Sequence, residues 1–306
     1  MSKNRNPILL SYVPHGLNEN VFKPLTEEEL TEFKSNIFKN QEKEFVVFFN
    51  SRNIRRKQIP DTMLAFRYFL DKLPKEQAEK CALILHTEII SEHGTDLEAI
   101  RKLFFNDYPN AIYFSTGKLS APELNMLYNL ADAQILLSSN EGWGLSLTEA
   151  ILAGTPIIAN VTGGMQDQMR FEDENGNWFT PSPSVPSNHT GKYKKHGKWA
   201  FPVYPSNRSI QGSPTTPYIW DDRCTAEDAS KRIMEVYKLD RTERKYRGFQ
   251  GRLWALNEAG FTGKIMGERV IDSVNQLFET WTPREKFEFI NVNEFEEPQL
   301  KHELLY

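Results

Sequence analysis

Short apolar runs and amphipathic stretches take turns along the chain from residue 45 onward. Phe45-Val-Val-Phe-Phe49 is continuous, apolar and rich in β-formers, which predicts a buried strand. After a basic loop, Asp61 to Asp71 carries apolar residues at Met63, Leu64, Phe66, Phe69 and Leu70, a helical spacing. Ala82-Leu-Ile-Leu85 predicts a second strand, and Thr95 with Glu98 three residues on predicts a capping box opening the next helix. Ala111-Ile-Tyr-Phe114 reads as a third strand, and Ser120, Pro122 and Glu123 open a helix running to about Ala131. Gln134-Ile-Leu-Leu137 and Pro156-Ile-Ile-Ala159 are the fourth and fifth strands, flanking a helix from Leu145 to Ala153 closed by Gly154. Strand and helix alternating at this spacing imply right-handed βαβ crossovers and a doubly wound, Rossmann-like α/β domain with a parallel sheet. Ligands of such sheets sit outside the carboxyl ends of the strands, here the loops after Asn50, Thr87, Ser115 and Ser139.

The flanks have a different texture. Residues 1–44 read as a linker-like segment: a strand-like piece from Ile8 to Val13, then Pro14-His15-Gly16, then a helix with Thr26 and Glu29 as its capping box. The domain proper is expected over 45–285. Within it, 172–222 is rich in Pro, Gly, Ser, Asn and aromatics, and reads as a long functional loop insertion. Thr225 with Asp228 caps a return to helix, which continues in pieces to about Trp281, and 286–306 form a polar tail.

Composition narrows the class. Of 306 residues, 39% are apolar and 25% charged, enough for a large packed core, so disorder and collagen are excluded. A net charge of −4 does not suit a general nucleic-acid coat. The two cysteines, Cys81 and Cys224, are far apart and form no CxxC pair, against a cysteine zinc site or a disulfide scaffold. Apolar runs are strand-sized, far short of a membrane span, so a cytoplasmic protein is the expectation. No GxxxxGK[ST], HExxH or GxSxG motif occurs, which removes P-loop NTPases, zincins and α/β-hydrolases.

Two strand-end motifs remain. Ser51-Arg52-Asn-Ile-Arg55-Arg56-Lys57 places cations at the sheet's carboxyl edge, where Arg offers a planar fork and Lys a compact charge to a diphosphate; a solvated basic loop is the plain alternative. In Glu141-Gly-Trp-Gly144-Leu145-Ser-Leu-Thr148-Glu149, the glycines let backbone N–H groups approach a ligand at a helix N-terminus. Glu141 and Glu149 can each accept hydroxyl hydrogen bonds; alternatively, Glu149 only complements the helix dipole and Glu141 is an exposed loop residue.

Here the chain resembles family 4 retaining glycosyltransferases of the GT-B type. Glu141 and Glu149 match the family's E-x7-E motif, and Ala150-Ile-Leu-Ala-Gly154-Thr-Pro156-Ile-Ile-Ala resembles the run that follows it. Arg52 and Lys57 match its R-x4-K spacing. Gly117-Lys-Leu-Ser and Leu127 to Asp132 match the stretch before the motif, and Thr162-Gly163-Gly164 with Asp167 is similar to its GGxxE. The likeness covers about 45–180, with an echo of the interdomain linker in Val13 to Pro24. It implies the C-terminal half of a GT-B enzyme: a retaining transfer of a hexose-type sugar from a nucleotide-diphosphate-sugar donor, without a metal or other cofactor. Arg52 and Lys57 would hold the diphosphate and stabilise the leaving group, with Glu141 as their catalytic partner on the sugar. Gly142, Trp143, Gly144, Leu145 and Thr148 would complete the donor site, Glu149 would take the ribose, and Gly117, Lys118 and Leu119 would line the base pocket.

The chain departs from the pattern in three places. Gln58 stands where the family usually has Gly after the Lys, and Trp143 replaces the commoner Phe. The linker-like segment begins close to Met1, so the acceptor-binding half is expected from a partner chain, another protomer, the 172–222 loop with the C-terminal helices, or a longer gene. A non-catalytic nucleotide-sugar-binding or structural module of a larger assembly is the alternative function. Outside the family core, Lys192 to Phe201 interleaves cations with aromatics; Lys195, Lys198 and Trp199 are candidate contacts for a glycan acceptor or, less suitably, a nucleic acid. A basic surface loop with its aromatics tucked onto the domain is the alternative. The Asp221-Asp222 pair precedes a capped helix and reads as structural rather than metal-binding.

Overall fold

The computed structural model describes residues 9–39, 41–179 and 187–281. Its contacts form two units, Val13–Glu268 and a second made of Met1–Tyr12 with Arg269–Tyr306. In chain order the elements are α1 (Glu27–Phe38), β1 (Phe45–Asn50), α2 (Ile59–Leu70), α3 (Lys75–Glu79), β2 (Cys81–His86), α4 (Leu97–Phe104), β3 (Ile112–Ser115), α5 (Ala121–Leu130) and β4 (Ala133–Leu136). There follow α6 (Leu145–Ala153), β5 (Ile157–Asn160), α7 (Gly164–Asp167), β6 (Ala200–Val203), β7 (Asn207–Ser213), β8 (Thr216–Arg223), α8 (Ala226–Tyr237), α9 (Arg241–Trp254) and α10 (Gly263–Thr280).

Six strands form one parallel sheet in the order β3-β2-β1-β4-β5-β6. The central strands are buried on both faces, as their predominantly apolar sequences suit. Helices α2, α4 and α8 pack together, while α1, α5, α6 and α9 form a second packed set. Two capping boxes close as the spacing predicts, Thr26 with Glu29 at α1 and Ser120 with Glu123 at α5. Thr225 caps α8 by accepting the Asp228 N–H at 3.1 Å.

Several expectations are corrected. The cap of α4 is Asp96, which accepts the Ala99 N–H at 2.9 Å, not Thr95 with Glu98. Asn53 takes both the N–H and the carbonyl of Thr95, which fixes that residue outside the helix. The described part of the strand-like N-terminal piece, Leu9–Val13, is irregular. The 172–222 stretch is not a plain loop. It holds β6, the sixth strand of the sheet, and the antiparallel hairpin β7–β8. Ala-Phe-Pro-Val is too short to show a period, and the hairpin turns through Pro214-Thr215, without the Asn-Gly or Asp-Gly signature that marks tight hairpins. Residues 180–186 of that stretch and the 286–306 tail lie outside the described residues. Among the described residues no helix is long and apolar enough to cross a membrane.

Candidate active site

The strand order reverses between β1 and β4, so the loops that leave these two neighbours diverge and open a crevice at the sheet's carboxyl edge. The basic loop follows β1 and the Glu141 loop follows β4, so fold topology alone brings the two motifs together. A cleft of about 650 Å³ lies there, lined by Arg52, Lys57, Gly117, Lys118, Glu141, Trp143, Gly144, Leu145 and Glu149, among others. A second cavity, of about 710 Å³, lies against Glu44, Val46, Asp132 and Pro156 at the strands' opposite ends. Several of its charges pair with one another, Asp132 with Arg244 and Glu27 with Arg241 and Lys245. The smaller cleft is the one at the carboxyl ends of the strands, where both motif loops meet.

Lys57 Nζ donates to Glu141 Oε1, and both side chains are nearly out of solvent, 11% and 7% exposed. Arg56 Nη1 stands 3.0 Å from the same carboxylate oxygen and donates to the Asn140 carbonyl at 2.6 Å. Burial pulls the Lys57 ammonium below its ordinary pKa, more than the Glu141 charge restores. Burial also works against ionised Glu141, but the Lys57 and Arg56 charges outweigh it and hold the carboxyl below its usual range. The pair is thus a charged, desolvated couple facing the cleft. Arg52 is exposed at the same cleft. The two loops are also laced through backbone, Ser139 N–H donating to the Arg56 carbonyl at 2.8 Å.

The helical turn Arg55–Lys57 ends on Gln58, at φ 51° and ψ 42°. That left-handed conformation is where glycine rests without strain, which accounts for the glycine common at this place in the resembled pattern. Gln58 is held there by its side chain, which donates to the Arg55 carbonyl and accepts from Arg223.

Below the Glu141 loop lies Thr162-Gly163-Gly164. Gly163 has φ 50°, and a Cβ on it would fall 1.9 Å from the Glu141 carbonyl oxygen; one on Gly164 would fall 2.4 Å from that of Gly142. The paired glycines are the floor on which the loop rests. Trp143 is buried above them, its indole N–H donating to Thr148 Oγ1 at 2.8 Å, and Thr148 in turn donates to Gln168 Oε1 at 2.8 Å. The extra polar group that Trp brings is therefore satisfied inside the protein.

Glu149 reaches back from α6 into the cleft. Its Oε2 accepts from the Tyr128 hydroxyl at 2.5 Å and from Asn50 Nδ2 at 3.4 Å. Burial raises its pKa, against the lowering effect of those two hydrogen bonds. It is a held, inward-facing carboxylate rather than a helix-dipole partner on the surface.

The other candidate residues divide. Gly117 and Lys118 line the cleft, whereas Leu119 packs on the core. Thr148 is fully buried and supports Trp143 from behind. Lys195 and Lys198 are exposed on a different segment, and Trp199 is buried, stacked on Trp254 at 4.9 Å with its N–H donated to the Gln168 carbonyl. The structure does not bring these three to the cleft, and the aromatic of the basic run is tucked onto the domain. Asp222 is buried and accepts from Thr162 Oγ1, a structural part as expected. Asn50, His86 and His15 also line the cleft without belonging to its motifs, and the buried Tyr128 backs it by holding Glu149. Asn50 and His86 end β1 and β2, so the strand-end rule alone could have marked them. His15 lines the cleft with its ring tilted against Trp143, 5.9 Å between centroids. Among the described residues, no three His, Cys, Asp or Glu side chains are placed to hold a metal ion.

The family model described as "Glycosyl transferases group 1" matches residues 31–187, just over half of the chain. The chain belongs to this glycosyltransferase family. Over 123 residues it is 28% identical to an uncharacterized glycosyltransferase of Methanocaldococcus jannaschii, a match covering 40% of this chain and 29% of the relative. Among solved structures it is similar to the C-terminal domain of a group 1 glycosyl transferase from Francisella tularensis, at TM-score 0.54 and 15% identity, covering 80% of this chain and 98% of that one. It is also similar to Anabaena HepE, solved in complex with UDP-glucose, at TM-score 0.57 and 14% identity, covering 86% of this chain and 56% of HepE. The chain thus spans less than a third of the curated relative and little more than half of HepE. At these identities the two structures show a shared fold, the parallel-sheet, Rossmann-like α/β domain found in GT-B glycosyltransferases.

Proposed function

We propose that this chain carries the donor-binding and catalytic side of a retaining hexosyltransferase that uses a nucleotide-diphosphate-sugar. The observation that carries this reading is the convergence of Arg52, Lys57, Glu141 and Glu149 on one cleft at the strand-order reversal. The capture of UDP-glucose by HepE, which shares the fold, supports the donor class.

Each residue has a task that follows from its chemistry. Arg52 and Lys57 bind the diphosphate and take up the negative charge that grows on the leaving phosphate oxygen. The N-terminus of α6, with Gly142 and Gly144 before it, presents backbone N–H groups to the same ligand. With this cation set the neutralisation needs no metal ion. Glu149, oriented by Tyr128 and Asn50, accepts the ribose hydroxyls, and Gly117 and Lys118 border the base. Glu141 accepts hydroxyls of the transferred sugar, and its ion pair with Lys57 keeps both groups ionised and aimed until the donor arrives.

The test is turnover with a panel of UDP-, GDP- and ADP-sugars and oligosaccharide acceptors, reading the anomer formed by NMR. One donor is expected to give product of retained configuration, with Glu141→Ala silent. Transfer that survives Glu141→Ala, Arg52→Ala and Lys57→Ala would show that the chemistry lies elsewhere.

Glu149→Gln separates binding from stability. Loss of a charged acceptor for the ribose is expected to weaken nucleotide binding about tenfold or more. Because burial raises the native pKa of Glu149, the native state holds its proton more tightly than the unfolded chain. Wild-type stability is therefore highest, in this group's share, below the unfolded carboxyl pKa and declines as pH rises through the native value. The Gln variant lacks that decline, so its Tm should gain on wild type from pH 4 to pH 8. A Tm difference independent of pH would contradict the buried carboxylate.

A further inference from the structure

The hairpin β7–β8 stands beside the candidate site and has no role in the donor reading. Its register sets Ile210 opposite Trp220 and Arg208 opposite Asp222, so these side chains share one face; Tyr218 lies two residues before Trp220, where the register shifts by one residue on β8 between Ile219 and Thr216. The face is graded from root to tip. At the root Asp222 is buried, accepting from Thr162 Oγ1 at 2.7 Å and lying 3.6 Å from Arg208 Nε. Above it the Arg208 guanidinium lies over the Trp220 ring, 4.2 Å from its centroid. Farther out, Trp220, Ile210 and Tyr218 are 37%, 59% and 84% exposed. Two exposed rings close together on β8 and the isoleucine that faces Trp220 form a patch of the kind that marks a binding surface.

This surface is fastened to the loop that carries Glu141. Ser139 Oγ donates to Asp221 Oδ1 at 2.7 Å, Asp222 N–H donates to the Ser139 carbonyl at 2.8 Å, and Asn140 Nδ2 donates to the Trp220 carbonyl at 2.9 Å. The strand that carries Trp220 is therefore fixed to the residue that precedes Glu141. The charges of the hairpin balance, Arg208 and Arg223 against Asp221 and Asp222. A polyanion would need an excess of cations there. Flat rings without net charge suit a neutral ring that is apolar on its C–H face and hydroxylated at its edge.

We propose that Tyr218 and Trp220, with Arg208 fixing the Trp220 ring, form a stacking platform for a pyranose unit of a neutral carbohydrate acceptor. The proposal rests on the transferase reading of the cleft and deepens it by naming the acceptor class and where the acceptor lies. Acceptor sugars bound on the platform extend along the hairpin, and the terminal unit reaches past Asn140 towards Glu141.

The experiment titrates the full chain with malto-, cello- and manno-oligosaccharides of three to six units, followed by ligand-observed NMR. UDP-, GDP- and ADP-sugar binding is measured on the same samples by calorimetry. Wild type is expected to bind at least one oligosaccharide series. Trp220→Ala and Tyr218→Ala should each weaken it tenfold or more, Trp220→Phe and Tyr218→Phe should hold within about threefold, and nucleotide-sugar binding should not change. No oligosaccharide bound by wild type, or binding that survives the double alanine variant, overturns the platform. So does a patch that instead sediments with phosphatidylcholine–phosphatidylglycerol vesicles, or pairs two copies in solution, in a Trp220-dependent way. Oligosaccharide binding without any nucleotide-sugar binding would sink the donor reading and leave the platform standing.

Discussion

Lys57→Met is expected to lower transfer at least a hundredfold and to cost about 3 kcal/mol of stability. The first effect is the loss of a positive charge at the developing phosphate, in a cleft where such charges act at short range and with little solvent screening. The second arises because Glu141 would remain buried, 7% exposed, without its closest counter-charge. Arg56 at 3.0 Å keeps the cost at the lower end for a broken buried pair. The decisive companion is Lys57→Met with Glu141→Leu. Removing both charges should return most of the stability while transfer stays absent, since a buried pair is seldom more stabilising than apolar groups of the same volume. Urea denaturation and turnover on the three proteins check this. A double variant as unstable as the single one would mean that the pair is kept for folding and not for chemistry.

Gly163→Ala is expected to cost about 3 kcal/mol or more and to dislodge the Glu141 loop. A Cβ there would sit 1.9 Å from the Glu141 carbonyl oxygen, a backbone atom that cannot swing away, and φ 50° with ψ −145° is itself a conformation reserved for glycine. Gly142→Ala is the internal control. It lies in the same loop, has nothing within 4 Å of a built Cβ, and should change stability by less than about 1 kcal/mol. Thermal melts of both variants decide it; equal Tm values would refute the close approach of the Gly163 turn to the Glu141 loop.

Much of this was legible in the chain, for identifiable reasons. Five sheet strands are compact apolar runs bounded by turn residues, and a parallel sheet needs such runs because both its faces are covered. The site motifs were legible because they lie at strand ends, where βαβ topology delivers loops to one edge. β6 was hidden by its length and its proline, and the hairpin by the largely polar β7, the proline within β8 and a Pro-Thr turn. Thr95 looked like a cap because a side chain far along the chain, that of Asn53, decides where the helix begins. Tyr128 and Asn50, which hold Glu149, sit 21 and 99 residues away from it, and only the folded chain brings them together. Trp199 shows the reverse error: cations around an aromatic suggest a ligand surface, while the ring itself is a core residue against Trp254.

The most direct measurement is calorimetric titration of the full chain with UDP-, GDP- and ADP-sugars, repeated on Arg52→Ala and Glu149→Ala. One nucleotide sugar should bind wild type, and each variant should bind it at least tenfold more weakly while melting as a folded protein. Binding of none of them, or binding that both variants retain unchanged, would contradict the assignment of the cleft between β1 and β4 as a nucleotide-sugar site.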